Sequence, residues 1–549
     1  MDSVSKKVET PVLIVGAGPV GLGLALELSW RGIPCMLLEQ RDGTIKTPKL
    51  GAIGLRTMEI CRRWGIAERI RQTPFRRDYG LNMVFCTNIA GHFLARHPYP
   101  SLEEDAAPAE SPEKKWRCPQ LWFDPLLSQC VKEYDSVDLR YRTRVDSFRQ
   151  EGDRVITEIT DLETGKQETV IAQYMVGCDG AGSTVRNQLD IGMEGTPTLD
   201  HSAAIFFRSS ALLASHDKGE AERYLFFGPK GFWGNISAMD GRELWRLTVV
   251  SNAEQVEQVC RDADQWVRRG IGRDDVPFEV LSALPWRRSQ LTAKRYGEGR
   301  VFLAGDSAHT MSPTGGFGMN TGMGDAVDLG WKLEAMLKGW GGPALLESYS
   351  AERLPIGVRN VNASAHNYFA LKSVKDCAVI EESSAQGEAL RSEVGDAIAL
   401  ATHTEWETLG IHLGYRYENS PICVPDGSTA DADSPRFYVP TTRPGHRAPH
   451  AWLADGRSTL DLFGRGFVLL RLGATPPDTS AFSAAASACG MPLTVVDISS
   501  PAIAGLYERA LVLVRPDGHC AWRGDAMPEN PQQIIDTVRG VAPAGHKAG

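Results

Sequence analysis

An α/β fold in three parts is what this sequence predicts, on three observations. A short apolar strand, Pro11 to Val15, runs directly into Gly16-Ala17-Gly18-Pro19-Val20-Gly21 and then a helix. Between about Ala203 and Val250 the pattern changes to short β-type runs separated by turn residues. A second β/α alternation begins near Pro440. The first pattern belongs to a Rossmann-like dinucleotide-binding unit, the second to an inserted antiparallel sheet, and the third to a separate C-terminal α/β domain.

In the fingerprint each glycine has a job. Gly16 allows the tight turn, Gly18 lets the backbone approach a pyrophosphate, and Gly21 lets the helix Leu22 to Trp30 pack on the sheet. A second strand, Cys35 to Leu38, ends at Glu39, placed to accept hydrogen bonds from an adenosine ribose. A second motif is Cys178-Asp179-Gly180-Ala181-Gly182-Ser183-Thr184-Val185-Arg186, where an apolar run meets Asp-Gly and a helix begins near Ser183. Arg186 stands one turn in, where its fork would hold Asp179 or reach a phosphate. The third motif is the most informative. An apolar strand, Val301 to Ala304, ends in Gly305-Asp306, and Pro313-Thr314-Gly315-Gly316-Phe317-Gly318-Met319-Asn320 leads into a helical stretch from Thr321 to Leu337. Such a turn gathers backbone N–H groups, an acceptor carboxylate and a helix N-terminus at one point, which suits a ligand with sugar hydroxyls and an electron-poor ring.

Elsewhere, Ser101 to Lys115 is rich in Pro, Ala and charge and reads as an exposed excursion. The inserted sheet is expected to use Ile205 to Arg208, Tyr224 to Phe227, Phe232 to Ala238 and Leu244 to Val250. Helices are expected over about 325–338, 352–371 and 385–409. The expected boundaries are 1–80, 115–195 and 290–400 for the dinucleotide-binding domain, 81–114 and 196–289 for the sheet, 401–439 for a linker, and 440–549 for the C-terminal domain.

Composition excludes several classes. With 549 residues the chain exceeds what one hydrophobic core serves. A formal charge of -9 argues against a nucleic-acid partner. The 11 cysteines are scattered and none forms a C-x-x-C pair, so neither a disulfide framework nor a zinc site is suggested, and no cluster has metal spacing. Reduced thiols and a polar first ten residues lead us to expect a cytoplasmic protein without membrane insertion.

The three motifs together resemble those of the flavin hydroxylases with the para-hydroxybenzoate hydroxylase fold, over about 12–371. The likeness extends to phenol-type members that carry an extra C-terminal domain. The region after Pro440 is similar to their thioredoxin-like domain, here without redox cysteines and so suited to packing or dimerisation. The resemblance implies FAD, with NADPH or NADH as a transient electron donor and a homodimer as the assembly. Gly16, Gly18, Pro19, Val20, Gly21, Glu39 and Gln40 would hold the ADP half. Asp306 would serve the ribityl or pyrophosphate side, and Asp179 and Arg186 the FAD and the donor. Pro313, Gly316, Gly318, Met319 and Asn320 would lie along the isoalloxazine, with Gln120 near the ribityl chain. Many relatives carry an arginine where Lys49 stands; lysine keeps the charge but loses the fork.

The implied reaction is hydroxylation of a hydrophobic phenol with O₂ and NAD(P)H through a flavin C4a-hydroperoxide, the protein supplying orientation and dryness. Candidates to favour the phenolate are His201, Tyr224 and Asn235, on placement in the inserted sheet. Phe206, Phe232, Trp233 and Trp286 are candidates for an aromatic wall, and equally for ordinary sheet packing. Pro313, in the flavin loop, joins His201 and Tyr224 as a catalytic candidate. Two alternatives remain: a flavin halogenase, although no W-x-W-x-I-P segment is present, and a non-catalytic flavin-binding sensor or scaffold.

Overall fold

The computed structural model describes residues 6–46, 49 and 51–541. The polar start (1–5) and the end of the expected C-terminal domain (542–549) lie outside the described residues. Five parallel strands form the centre of the first domain, in the order Val137–Arg140, Cys35–Leu38, Lys6–Val15, Gln167–Gly177, Val301–Leu303. This is the 3-2-1-4-5 order of a Rossmann-like sheet. Val12, Leu13, Ile14 and Leu37 are fully buried, as strands covered on both faces require. The antiparallel strands Thr143–Glu151 and Arg154–Asp161 replace a crossover helix between the third and fourth strands. The fingerprint follows the first strand, Glu39 the second, Asp179 the fourth and Gly305-Asp306 the fifth. The parallel register therefore brings all the motifs to one edge, at the carboxyl ends of neighbouring strands.

The helix Pro19–Trp30 begins with proline in its first turn, where the missing N–H costs nothing. Against it lies Phe317–Leu337, which starts earlier than the sequence suggests. Gly316 caps it in the left-handed conformation (φ 71°), so the glycine-rich segment is itself the helix's first turn. Ala344–Leu371 packs alongside.

The inserted sheet has eight strands, ordered His309–Thr310, Glu279–Ala293, Met193–Arg208, Leu244–Ser251, Gly231–Ala238, Arg223–Gly228, Met83–Cys86, Phe93–His97. It is longer than expected because Met193–Arg208 and Glu279–Ala293 run back toward the first domain, and His309–Thr310 ties the Gly-Asp turn to it. The C-terminal sheet pairs Phe467–Leu472 parallel with Leu493–Ile498 and antiparallel with Leu511–Val514, which pairs antiparallel with Cys520–Gly524. A βαβ unit followed by a β-hairpin and the helix Pro531–Val538 is the thioredoxin-like arrangement.

Two expectations need correction. The 101–115 excursion is not a free loop. Ser101, Leu102, Ser111 and Glu113 are buried; Ser111 Oγ donates to Glu59 (2.7 Å) and Arg447 of the C-terminal domain donates to the Glu110 carbonyl (3.2 Å). Its charges found partners, which composition does not reveal. Likewise 401–439 is no bare linker. The expected helix over 385–409 stops at Thr402, and Leu409–Leu413 packs against the helix Leu55–Arg63. No helix of the described residues is long and apolar enough to cross a membrane, and no group of His, Cys, Asp or Glu among them could hold a metal.

Candidate active site

At the strand edge the three fingerprint glycines separate by what surrounds them. Gly16 has φ 100°, and a Cβ there would lie 2.5 Å from the Cys178 carbonyl; at Gly21 it would lie 1.9 Å from the Gly16 carbonyl. Both are required by packing. At Gly18 a Cβ meets nothing within 4 Å, yet this residue caps the helix whose N-terminus opens toward it. That open space, beside free amide groups, fits a pyrophosphate. Pro19 opens the helix, Val20 packs under Gly305 and Gly322, and Gln40 is exposed beyond Glu39. Glu39 accepts from Ala17 N (3.0 Å) and Arg41 N (2.8 Å), leaving lone pairs for ribose hydroxyls.

The Gly305-Asp306 turn is held from behind and open in front. Asp325, fully buried, accepts from Gly305 N (3.0 Å) and Arg353 Nε (2.8 Å) and lies 2.8 Å from His309 Nε2. Arg353 and His309 hold its carboxyl below the usual carboxylate range, overcoming burial, the largest influence and one that acts upward. Asp306 points outward, its side chain 42% exposed, with Lys49 Nζ 3.5 Å away. Gln120 Nε2 donates to Asp124 (2.9 Å). Burial pushes the Asp124 carboxyl up to about 7, against that hydrogen bond and Lys49. In the helix that follows, Asn320 is saturated. It accepts from Gly54 N (2.8 Å) and Thr57 Oγ1 (2.7 Å) and donates to the Ala52 (2.9 Å) and Gly316 (2.7 Å) carbonyls. It therefore braces the loop, while backbone at Gly318 and Met319 remains available beside exposed Pro313.

Arg186 turns its fork to backbone carbonyls rather than to a hydrogen bond with Asp179. It donates to the carbonyls of Ser307 (3.0 Å) and Ala181 (2.9 Å), joining the second and third motifs. Asp179 instead caps its own helix through Ser183 Oγ and Val185 N (3.1 Å), and burial raises its carboxyl.

The inserted sheet turns one face to this loop. Arg288 marks which: its Nη1 donates to Ser312 Oγ (2.8 Å), and its Nε to Asp200 (3.2 Å), which also accepts from the Tyr368 hydroxyl. Ser312 contacts Thr314 (2.6 Å), which donates to the Ser364 carbonyl (2.7 Å), so Pro313 sits between two fastened neighbours. By strand alternation the face of Asp200 carries Ser202, Ala204, Phe206, Arg246, Asn235 and Trp286. The alternation puts His201 and Tyr224 on the opposite side, and the irregular pairing between Phe226 and Phe227 turns Trp233 there as well, against the helix Ala263–Ile271. Tyr224 is fully buried and donates to the Gly219 carbonyl (2.5 Å); Trp233 stacks on Phe226 (4.9 Å) and lies 6.0 Å from Trp266. The structure thus does not bring His201, Tyr224 or Trp233 to the face turned toward Ser312 and Pro313. Phe232 packs at 5.7 Å on Phe227 in a cluster with Met83 and Phe85.

On the loop-facing side the arginines decide the electrostatics. Arg117 pairs with Glu222 (2.9 Å), Arg223 with Glu405 (2.9 Å), and Arg288 with Asp200. Glu405 in turn accepts from Gly315 N (3.1 Å), so it reaches the glycine-rich loop before the helix Phe317–Leu337. Arg246 is 8% exposed and has no hydrogen-bond or ion-pair partner among the described residues. Burial, with Arg223 and Arg288 nearby, pushes it down to about 10. Sequence reasoning missed Arg246, Asp200, Arg288 and Glu405. The signal for Arg246 was available: a charge in the middle of the apolar strand Leu244–Ser251.

Residues 9–364 match the family described as "FAD binding domain", and residues 441–542 that described as "Aromatic-ring hydroxylase, C-terminal". The chain belongs to the FAD-dependent aromatic-ring hydroxylases. The hydroxylase is 33% identical to 4-methyl-5-nitrocatechol 5-monooxygenase of a Burkholderia species, over 97% of this chain and 98% of that one. It is 31% identical to tetracenomycin B2 monooxygenase-dioxygenase of Streptomyces olivaceus, over 97% and 98%. Among solved structures it is similar to RebC, described as chromopyrrolic acid-soaked with bound 7-carboxy-K252c, with a TM-score of 0.91 and 41% identity over 98% of this chain and 100% of that one. The hydroxylase is an FAD-dependent aromatic monooxygenase.

Proposed function

We propose that the hydroxylase inserts one oxygen of O₂ into an electron-rich, phenolic or similarly activated aromatic ring system that carries a carboxylate. Arg246 is the observation that carries this reading. A buried guanidinium without a counterion is costly, and three neighbouring arginines each have their own carboxylate, so the fourth awaits one from the substrate. A planar fork matches a carboxylate bidentately. The carboxylated ligand named for RebC supports the same chemistry.

Around that anchor, Phe206 and Trp286 supply apolar surface for a ring, and Trp286 Nε1 is a buried donor without a partner among the described residues. The Asn235 side-chain carbonyl accepts from Ser237 (3.0 Å), and its NH₂ donates to no partner among the described residues. Arg288 and Glu405 fasten the flavin loop to the sheet, so a ring held on the sheet keeps a fixed distance from the cofactor. Bound FAD, reduced by NADPH or NADH, would supply the electrophilic oxygen. The chain's own residues bind the acid, orient the ring and exclude water.

The test compares an aromatic acid with its methyl ester. Arg246→Met should raise KM for the acid by about 10- to 150-fold, the equivalent of one charge-assisted hydrogen bond, and leave the ester's KM nearly unchanged. Equal effects on both, or none on the acid, would remove Arg246 from substrate recognition.

A further inference from the structure

The C-terminal domain inserts a hairpin turn, 514–519, between the two long helices of the first domain. Its Arg515 is fully buried. It donates to Glu352 through Nη1 (2.5 Å) and Nη2 (3.0 Å), and to Asp328 (3.0 Å) and Asp517 (2.6 Å) through Nη2. Lys332 adds contacts to Asp328 (2.7 Å) and Glu352 (2.6 Å). Asp328 stands three residues, nearly one helical turn, beyond Asp325 on Phe317–Leu337. Glu352 is the immediate neighbour of Arg353 on Ala344–Leu371.

Those neighbours grip the flavin turn. Arg353 donates to Asp325 and to the Thr321 carbonyl (2.9 Å), and Asp325 accepts from Gly305 N. A second connection runs through Tyr417. Its hydroxyl accepts from Arg353 Nη1 (3.4 Å), its ring lies 4.3 Å from the His519 ring, and the Arg515 guanidinium lies 4.9 Å from its centre. The helix pair is thus pinned on one side by the C-terminal hairpin and on the other by the Gly305-Asp306 turn.

We propose that Arg515 is a positioning residue for the flavin site: by clamping Asp328 and Glu352 it fixes the registration of the helix pair that holds the Gly305-Asp306 turn. Without Arg515, two buried carboxylates share the single ammonium of Lys332. Such a site relaxes by moving the helices or admitting water, and Asp325 and Arg353 move with them. The C-terminal domain, which has no redox cysteines, then acts as a brace for cofactor geometry at a distance.

The experiment measures the FAD dissociation constant by flavin fluorescence, and the visible absorbance and reduction potential of bound flavin, in the full chain. Arg515→Met should weaken FAD by about tenfold, within the range of remote couplings, and shift the spectrum, with Arg515→Lys recovering part of the loss. The control is Arg523→Met. It removes contacts to Glu508 (2.5 Å) in the same domain and to Asp426 (2.6 Å) in the segment before it and should lower the Tm while FAD affinity stays within about twofold. Unchanged FAD affinity and spectrum in Arg515→Met would overturn the proposal, as would an equal loss in Arg523→Met. Should Arg515→Met not fold, Arg515→Lys and Tyr417→Phe decide: normal FAD affinity and potential in both would equally overturn it. The proposal rests on the Gly305-Asp306 turn holding FAD. Asp306→Ala separates the two failures, because only the loss of that premise would leave its FAD affinity intact.

Discussion

Replacing Gly18 with alanine should abolish neither fold nor stability, yet cost most of the FAD affinity. The residue has φ -72° and ψ 178°, open to any amino acid, and its Cβ would meet nothing within 4 Å. Alanine is a poorer helix N-cap than glycine by about 0.5–1 kcal/mol, while restricting the unfolded chain returns about 0.4–1 kcal/mol. These terms oppose and leave apoprotein stability within about 1 kcal/mol of the parent. In the holoprotein the same methyl occupies the space a pyrophosphate needs. Losing one charge-assisted backbone hydrogen bond there costs about 1.5–3 kcal/mol, or about 10- to 150-fold in affinity. Two assays on one preparation read both quantities: apoprotein thermal unfolding and FAD titration by fluorescence. Gly18→Val should purify colourless. Gly16→Ala and Gly21→Ala, which collide with carbonyls at 2.5 and 1.9 Å, should instead lose fold and cofactor together. A Gly18→Ala protein with parental FAD affinity would refute the reasoning, and so would one whose apoprotein is strongly destabilised.

Other consequences are equally direct. Asp306→Ala should weaken FAD by about tenfold or more through a lost ribityl hydroxyl acceptor, read by equilibrium dialysis; stoichiometric flavin in the dialysed variant would dissociate Asp306 from the site. Asp200→Asn leaves Arg288 without its carboxylate and loosens Ser312, so more H₂O₂ should form per NAD(P)H consumed; unchanged coupling would contradict the loop-fastening role. Burial, opposed by Asp517, pushes His519 down to about 4 from an ordinary 6.5. Between these values the unfolded chain binds a proton that the folded one does not, so stability is full above pH 6.5 and drains as pH falls toward 4. Thermal melting across that window should show the decline, and His519→Gln should flatten it; an unchanged slope would show that other groups dominate.

The backbone of this account was visible in local sequence. Gly16 to Gly21, Glu39, Asp179 and Gly305-Asp306 could each be read from a strand, a turn and a helix start, and parallel pairing then places them at one edge. The start of the third-motif helix was misjudged because Gly316, a helix cap with positive φ, looks like loop in sequence. What stayed hidden depends on register. Whether His201 or Ser202 faces the flavin loop is a one-residue question that the pleat reverses, and irregular pairing between Thr196 and Asp200 precedes that point. Arg186 was ambiguous because Ser307, its partner, lies 121 residues away. Arg515 and Glu352, separated by 163 residues, leave no local pattern at all.

Stopped-flow absorbance on the FAD-loaded protein tests the central claim most directly. The flavin is reduced anaerobically by NADPH or NADH with an aromatic acid bound, then mixed with isotopically labelled O₂, and the product is analysed by mass spectrometry. The account predicts that an aromatic acid accelerates reduction more than its methyl ester does and gains one labelled oxygen atom. A flavin that reduces and reoxidises with the acid bound while releasing only H₂O₂, or a preference for the ester, would contradict it.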